Sequence, residues 1–146
     1  MNNEKDMPTW TEVRDHLRGR FTLAGDTGRA VILSFQVPGG GREVAQSVLV
    51  APVETHGEPW LIILADLFSE ASLPHRSALL YQDTLPFGAI VLRKEIYLFR
   101  HGIALERMAW EDLERAIRLC AHEAARLRLN VAPQGRGPGM FGMYED

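Results

Sequence analysis

Apolar and polar positions follow two rhythms along this chain, and the places where the rhythm changes mark its elements. Trp10, Val13 and Leu17 stand three and four residues apart, so they share one side of a helix expected over residues 10–18. Thr9 and Glu12 have the spacing of a capping box at its start, and Gly19 is expected to end it. Residues 21–23 read as a short strand or an extended connector, and Gly25, Asp26, Thr27 and Gly28 as a turn. Residues 29–37 and 43–50 then form an antiparallel hairpin, with Pro38, Gly39, Gly40 and Gly41 as a flexible tip. A glycine run can cradle phosphate, but that use needs a helix N-terminus next, and here another strand follows.

Residues 52–59, with His56 and Gly57 at the middle, read as a turn-rich connection. Residues 60–65 are so uniformly apolar that this strand is expected in mid-sheet with both faces covered. Over residues 66–81 a short helical turn from Asp66 is expected, then a helix that takes Pro74 as its first residue. Residues 89–92 and 96–99, separated by Arg93, Lys94 and Glu95, describe a second hairpin. From Trp110 the period returns to 3.6: Leu113, Ala116, Ile117, Cys120, Ala121, Ala124 and Leu127 form one stripe of a long final helix, with small residues that permit close approach to a neighbour.

The fold expected is α+β: an antiparallel sheet of about five strands, N-terminal and C-terminal helices packed on it, and a short middle helix. Trp10, Val13, Leu17, Ile32, Leu49, Trp60, Ile62, Leu64, Ile90, Leu92, Tyr97, Phe99, Leu113, Ile117, Cys120 and Ala124 are expected to form one core. Residues 1–130 make one domain, and residues 131–146 a Gly/Pro-rich tail.

Composition narrows the function. The 146 residues suffice for one domain with a sizeable core. Cys120 is the sole cysteine and lies on an apolar stripe, which excludes an intramolecular disulfide and marks a buried hydrophobe rather than a nucleophile. The polar start and the lack of a membrane-length apolar run point to a cytoplasmic protein without membrane association. A net charge of -3 with both signs interspersed offers no basic stripe for nucleic acid. His16, His56, His75, His101 and His122 do not stand at metal-ligand spacing, and His16, His56 and His122 are expected to be solvated. Glu54, Asp66 and Glu95 show no pairing that would support acid–base chemistry, and no serine sits in a nucleophile elbow. Neither catalysis nor a cofactor is expected.

Leu79-Leu80, then Pro86-Phe87-Gly88-Ala89-Ile90-Val91-Leu92, then Glu95-Ile96-Tyr97-Leu98-Phe99-Arg100, then Ile103-Ala104-Leu105 leading into the final helix form a pattern that resembles the type III secretion chaperone-like superfamily, which includes the Tir chaperone family and the YbjN-like proteins. The resemblance spans about residues 10–129 and departs at the interrupted 66–81 segment and the Gly-rich tail. It implies a small homodimer without cofactors that binds a segment of a partner protein or serves a regulatory role. Leu67, Phe68, Leu79, Leu80 and Tyr81, crowded into a segment too short to bury them all, are the expected partner-binding or dimer contacts. The alternative is a small-molecule sensor or enzyme with a pocket between sheet and helices. A partner strand adding to a sheet edge is the expected binding mode; Met140, Phe141, Met143 and Tyr144 are candidates for an internal competitor, against the favoured alternative of a tail with no docking site.

Overall fold

The computed structural model describes residues 7–131. Its first helix, α1 (Trp10–Arg20), starts where Thr9 and Glu12 satisfy one another's backbone: the Glu12 N–H donates to the Thr9 hydroxyl at 3.2 Å, and the Thr9 N–H to Glu12 Oε1 at 3.1 Å. Gly19 does not stop it. The helix continues until the backbone becomes extended at Phe21.

Six strands follow, β1 (Leu23–Asp26), β2 (Val31–Gly39), β3 (Arg42–Thr55), β4 (Glu58–Ser69), β5 (Ala89–Arg93) and β6 (Ile96–Ala104). They form one antiparallel sheet in the order β1-β2-β3-β4-β6-β5. The apolar run of residues 60–65 is central, between β3 and β6. Both strands of its hairpin are longer than expected. The segment 52–59 is no loose connection but a continuation of the ladder, in which Pro52 pairs with Leu61 and Glu54 with Pro59. Likewise β4 continues through residues 66–69, where a helical turn was expected; a 3-10 turn occupies Glu70–Ser72, and Pro74 is the N-cap of α2 (His75–Gln82), not its first helical residue. This segment carries the chain past β6, so that β5 returns on its far side at the sheet edge.

Three hairpins share one tip geometry. Gly39 pairs with Arg42, Thr55 with Glu58 and Arg93 with Ile96, leaving two-residue turns. Both residues of each turn have positive φ: Gly40 and Gly41, His56 and Gly57, Lys94 and Glu95. The glycine tip at Gly40-Gly41 is therefore a tight reversal, not a flexible loop.

The last helix, α3 (Trp110–Val131), crosses the sheet, with Leu113, Ile117, Cys120, Ala121, Ala124, Ala125 and Leu127 buried. With Val13 and Leu17 of α1 they pack on Val31, Leu33, Val48, Val50, Leu61, Ile63 and Phe99. Ile32, Leu49, Ile62 and Leu64 do not join this core. They belong to a second cluster, with Ala30 and Leu98, on the opposite side of the strands. The single core expected from the sequence is thus two. Trp10, Trp60 and Ile90 are only partly buried, and Leu92 is exposed.

The Lys94-Glu95 tip holds two non-glycine residues at φ 49° and 69°, a conformation that costs L-residues roughly 1 kcal/mol each. Replacing Glu95 with Gly is expected to raise the stability measured by urea denaturation by about 0.5–1 kcal/mol with no change in the denaturant slope. A loss of stability would show that the Glu95 side chain contributes more than its backbone strain costs.

Candidate partner-binding surface

The side of the sheet away from the helices is ordered by strand register. Across it, Ile32 pairs with Leu49, Leu49 with Leu64, Leu64 with Arg100, and Arg100 with Ala89. The next rung runs from Ala51 to Ile62 to Gly102. The central residues are well sheltered, with Leu49 and Leu64 each 2% exposed, although the buried residues of all three described helices belong to the other cluster. Arg29, Arg93 and Arg100 bound a hollow of about 260 Å³ floored by Leu49, Ala51, Ile62 and Leu64. A second hollow, about 290 Å³, opens beside it where Gly102 has no side chain, next to Trp60, His101 and Gly88. Trp60 lies 3.6 Å from where a Cβ on Gly102 would stand. The His101 ring packs edge-on against Phe87 with centroids 5.6 Å apart, and burial lowers its pKa.

The sheet edges are less suited to a partner strand. At β5, Gln82 Oε1 accepts the Ile90 N–H at 2.5 Å, and Gln82 Nε2 donates to the Gly88 carbonyl at 3.4 Å, so a side chain already engages that edge. At the other edge, β1 has four residues and a register shift between Leu23 and Gly25.

Of the residues expected to form a dimer or partner contact, Leu67 and Phe68 are 0% and 3% exposed and lie inside the helix-side core. They are corrected out of that set: β4 continues through them, and a bulge at Asp66/Phe68 turns both inward. Tyr81 packs partly buried against the same core. Leu79 and Leu80 remain outside, 71% and 61% exposed, with Leu92 of β5 at 45%.

Most polar side chains in the interior tie elements together. Gln46 donates to the carbonyls of Ser47 and Asp66 at 3.0 Å and to Asp66 Oδ1 at 2.8 Å. Arg128 donates to the Ala45 carbonyl at 2.7 Å and to Gln46 Oε1 at 2.9 Å. All three are at least 95% buried. Burial pushes the Asp66 carboxyl up, and the Arg128 charge opposes that shift. Between the helices, Glu114 accepts from Arg20 at 3.2 Å and lies 2.8 Å from His16 Nε2, while the His16 ring stacks on Trp110 at 4.4 Å. His16 is thus a helix–helix tie, not the solvated group expected. The hydrogen bonds from Arg20 and His16 hold Glu114 below the usual carboxylate range.

Cys120 is fully buried, and desolvation pushes its thiol up to about 12. Among the described residues no group of three or more His, Cys, Asp or Glu could hold a metal ion. A groove of about 930 Å³ lies between the β2–β3 tip, Phe87 and the last turns of α3, where Glu123 pairs with Arg126. No helix among the described residues is long and apolar enough to cross a membrane. Met140, Phe141, Met143 and Tyr144 lie outside the described residues.

Two measurements check these assignments. Arg128→Ala leaves a buried carboxyl without its opposing charge and is expected to cost about 3–5 kcal/mol in chemical denaturation. Asp26 is pushed up by burial, but the Gly28 N–H and the Arg14 and Arg18 guanidiniums outweigh this and lower it from 3.8 to about 2. A depressed carboxyl stabilises the fold above its unfolded pKa, so that contribution is expected to fade as pH falls from about 4 to about 2. The Asp26→Asn variant should lose less stability over that interval than the parent. No family model matches this chain, and neither a curated protein nor a solved structure shows significant similarity to it.

Proposed function

We propose that this chain is a non-catalytic protein-binding module, chaperone-like or regulatory in role, that works as a homodimer. The observation that carries the reading is the helix-free side of the sheet, an apolar floor of Leu49, Ile62 and Leu64 bounded by Arg29, Arg93 and Arg100. A sheltered apolar hollow inside a cationic margin suits a segment that sets acidic residues beside an aromatic one, since the hollow receives one side chain and the charge supplies orientation. The interior polar groups support the same reading. Gln46, Asp66, Arg128 and Glu114 are engaged in cross-element hydrogen bonds, which leaves them fixed as structural ties.

Dimerisation is assigned to the β5 edge of the sheet, where Leu79 and Leu80 of α2 and Leu92 of β5 stand exposed on adjoining elements. Burying such residues between two copies would give an interface without using the helix-free face.

A second reading, a small-molecule sensor, draws on the 930 Å³ groove beside α3, whose size lies within the range of ligand pockets. Leu119→Asp in that groove would impair a sensor and leave a peptide binder unaffected.

Selection of displayed peptides against the protein checks the primary reading. Enriched sequences should combine acidic and aromatic residues and lose binding when Arg29 and Arg100 are both changed to Glu; retained binding would reject the face. Light scattering coupled to size exclusion at tens of micromolar should give twice the mass of one chain, and Leu80→Asp should return it to one. A monomeric parent protein would remove the homodimer.

A further inference from the structure

We infer that the chain captures the C-terminus of a partner protein. The partner's last residues add as a short strand to the open edge of β6 at residues 102–104, the final carboxylate meets the Gly102 N–H and Arg100, and a terminal aromatic side chain enters the hollow over Gly102. This inference rests on the reading of the chain as a protein-binding module, and adds which kind of segment it takes and how that segment is held.

Register is the first argument. β5 pairs with β6 only as far as Arg100, which stands opposite Ala89, whereas β6 runs on to Ala104 against β4. Beyond Arg100 the outer edge of the sheet is therefore β6 itself. The Leu105 N–H donates to the Pro59 carbonyl at 3.1 Å, so Ile103 and His101 turn their N–H and C=O towards β4, and Gly102 and Ala104 turn theirs away from it. Among the described residues no strand pairs with that outward side of Gly102 and Ala104, and Gly102 is exposed. The Gln82 side chain engages Gly88 and Ile90 and leaves this stretch of β6 open.

Chain direction and charge are the second argument. A strand antiparallel to β6 runs the same way as β5, so its C-terminal end arrives where β5 begins. There Gly88 lies flush on β6: a Cβ on it would stand 3.0 Å from the Arg100 carbonyl, and its φ of 69° turns the incoming chain aside. A segment that continued through would meet this backbone, whereas one that ends opposite Gly102 stops short of it. In that register the terminal carboxylate accepts the Gly102 N–H. Arg100, exposed and without an ion pair among the described residues, supplies the opposite charge.

The glycine selects the side chain. Residues directly opposite one another share a face, so the terminal side chain points to the helix-free side, as Ile62 does, at the position where Gly102 contributes nothing. The hollow of about 290 Å³ there is walled by Trp60, Thr55 and Ala89. Thr55 is exposed and Trp60 only partly buried, so the wall is open to a guest. An aromatic ring against the Trp60 indole gains more than its buried area alone.

The experiment selects peptides displayed with free C-termini against the full chain, then measures binding of one enriched sequence in synthetic variants. Enriched sequences should end in an aromatic residue. The free acid is expected to bind about tenfold more tightly than its C-terminal amide. N-methylation of the last residue, whose N–H donates to the Gly102 carbonyl, should weaken binding about tenfold, whereas N-methylation of the penultimate residue, whose N–H faces away, should leave it unaltered. On the protein, Arg100→Gln should remove most of the preference for acid over amide. Gly102→Ala, whose Cβ makes only ordinary contacts from 3.6 Å outward, should keep the thermal melt and weaken the peptide. Equal binding of acid and amide, or of the two N-methylated forms, would overturn the inference. A library displayed as internal segments separates the two levels: if its peptides bind and a free C-terminus adds nothing, C-terminal capture fails and the protein-binding module stands. If neither library yields a binder, both fail.

Discussion

A sheet that is apolar on both faces while its described helices cover only one is the constraint on which the rest of this structure depends. The helix side is closed by α1, the α2 segment and the long α3, whose alanines and Cys120 let it lie close to β3 and β4. That packing contributes most of the apolar burial and therefore most of the driving force for folding. The other side uses the same strands and the alternate residues, Ile32, Leu49, Ile62, Leu64 and Leu98, and meets solvent through a margin of arginines. Those alternate residues are themselves 1–9% exposed, so little of their apolar area is open to solvent.

Polar groups in the interior set the arrangement of the layers. Below the Val48–Ala65 rung no further pairing joins β3 to β4, and Gln46 supplies the hydrogen bonds the backbone would otherwise lack, with Arg128 reaching down from α3 to complete them. Glu114 joins α1 to α3 through His16 and Arg20, and Asp26 joins β1 to α1 through Arg14 and Arg18. Each tie joins two separate elements, so their joint effect is to select one packing among several that would bury similar apolar area. Moving any one element would strand a buried charge or amide.

The margins of the sheet decide how it meets other molecules. Short, interrupted β1 and the Gln82 cover on β5 discourage strand addition at either of those strands. The tight tips at Gly40-Gly41, His56-Gly57 and Lys94-Glu95 hold the long strands in register right to their ends, and a rigid face binds at lower entropic cost than one that must order first. Exposed Leu79, Leu80 and Leu92 sit at the β5 edge of the sheet, where Leu92 immediately precedes Arg93 of the arginine-bounded hollow.

Periodicity and local chemistry determined the α+β class, the capped first helix, the central position of residues 60–65, the second hairpin and the buried stripe of α3, because each of these is written within a few residues by spacing, capping or a change of period. Tertiary structure decided the remainder. A strand apolar at every position, such as residues 61–65, carries no mark of which alternate side chains will face the helices, so Leu61 and Ile63 were indistinguishable from Ile62 and Leu64 until α3 was placed. The burial of Leu67 and Phe68 depended on β4 running on past Asp66, which its pairing with β6 stabilises against any local preference for a turn. His16 met Glu114 across 98 positions of sequence, and Arg29 met Arg93 and Arg100 only through the order of the strands. Such contacts arise from topology, which local spacing does not encode.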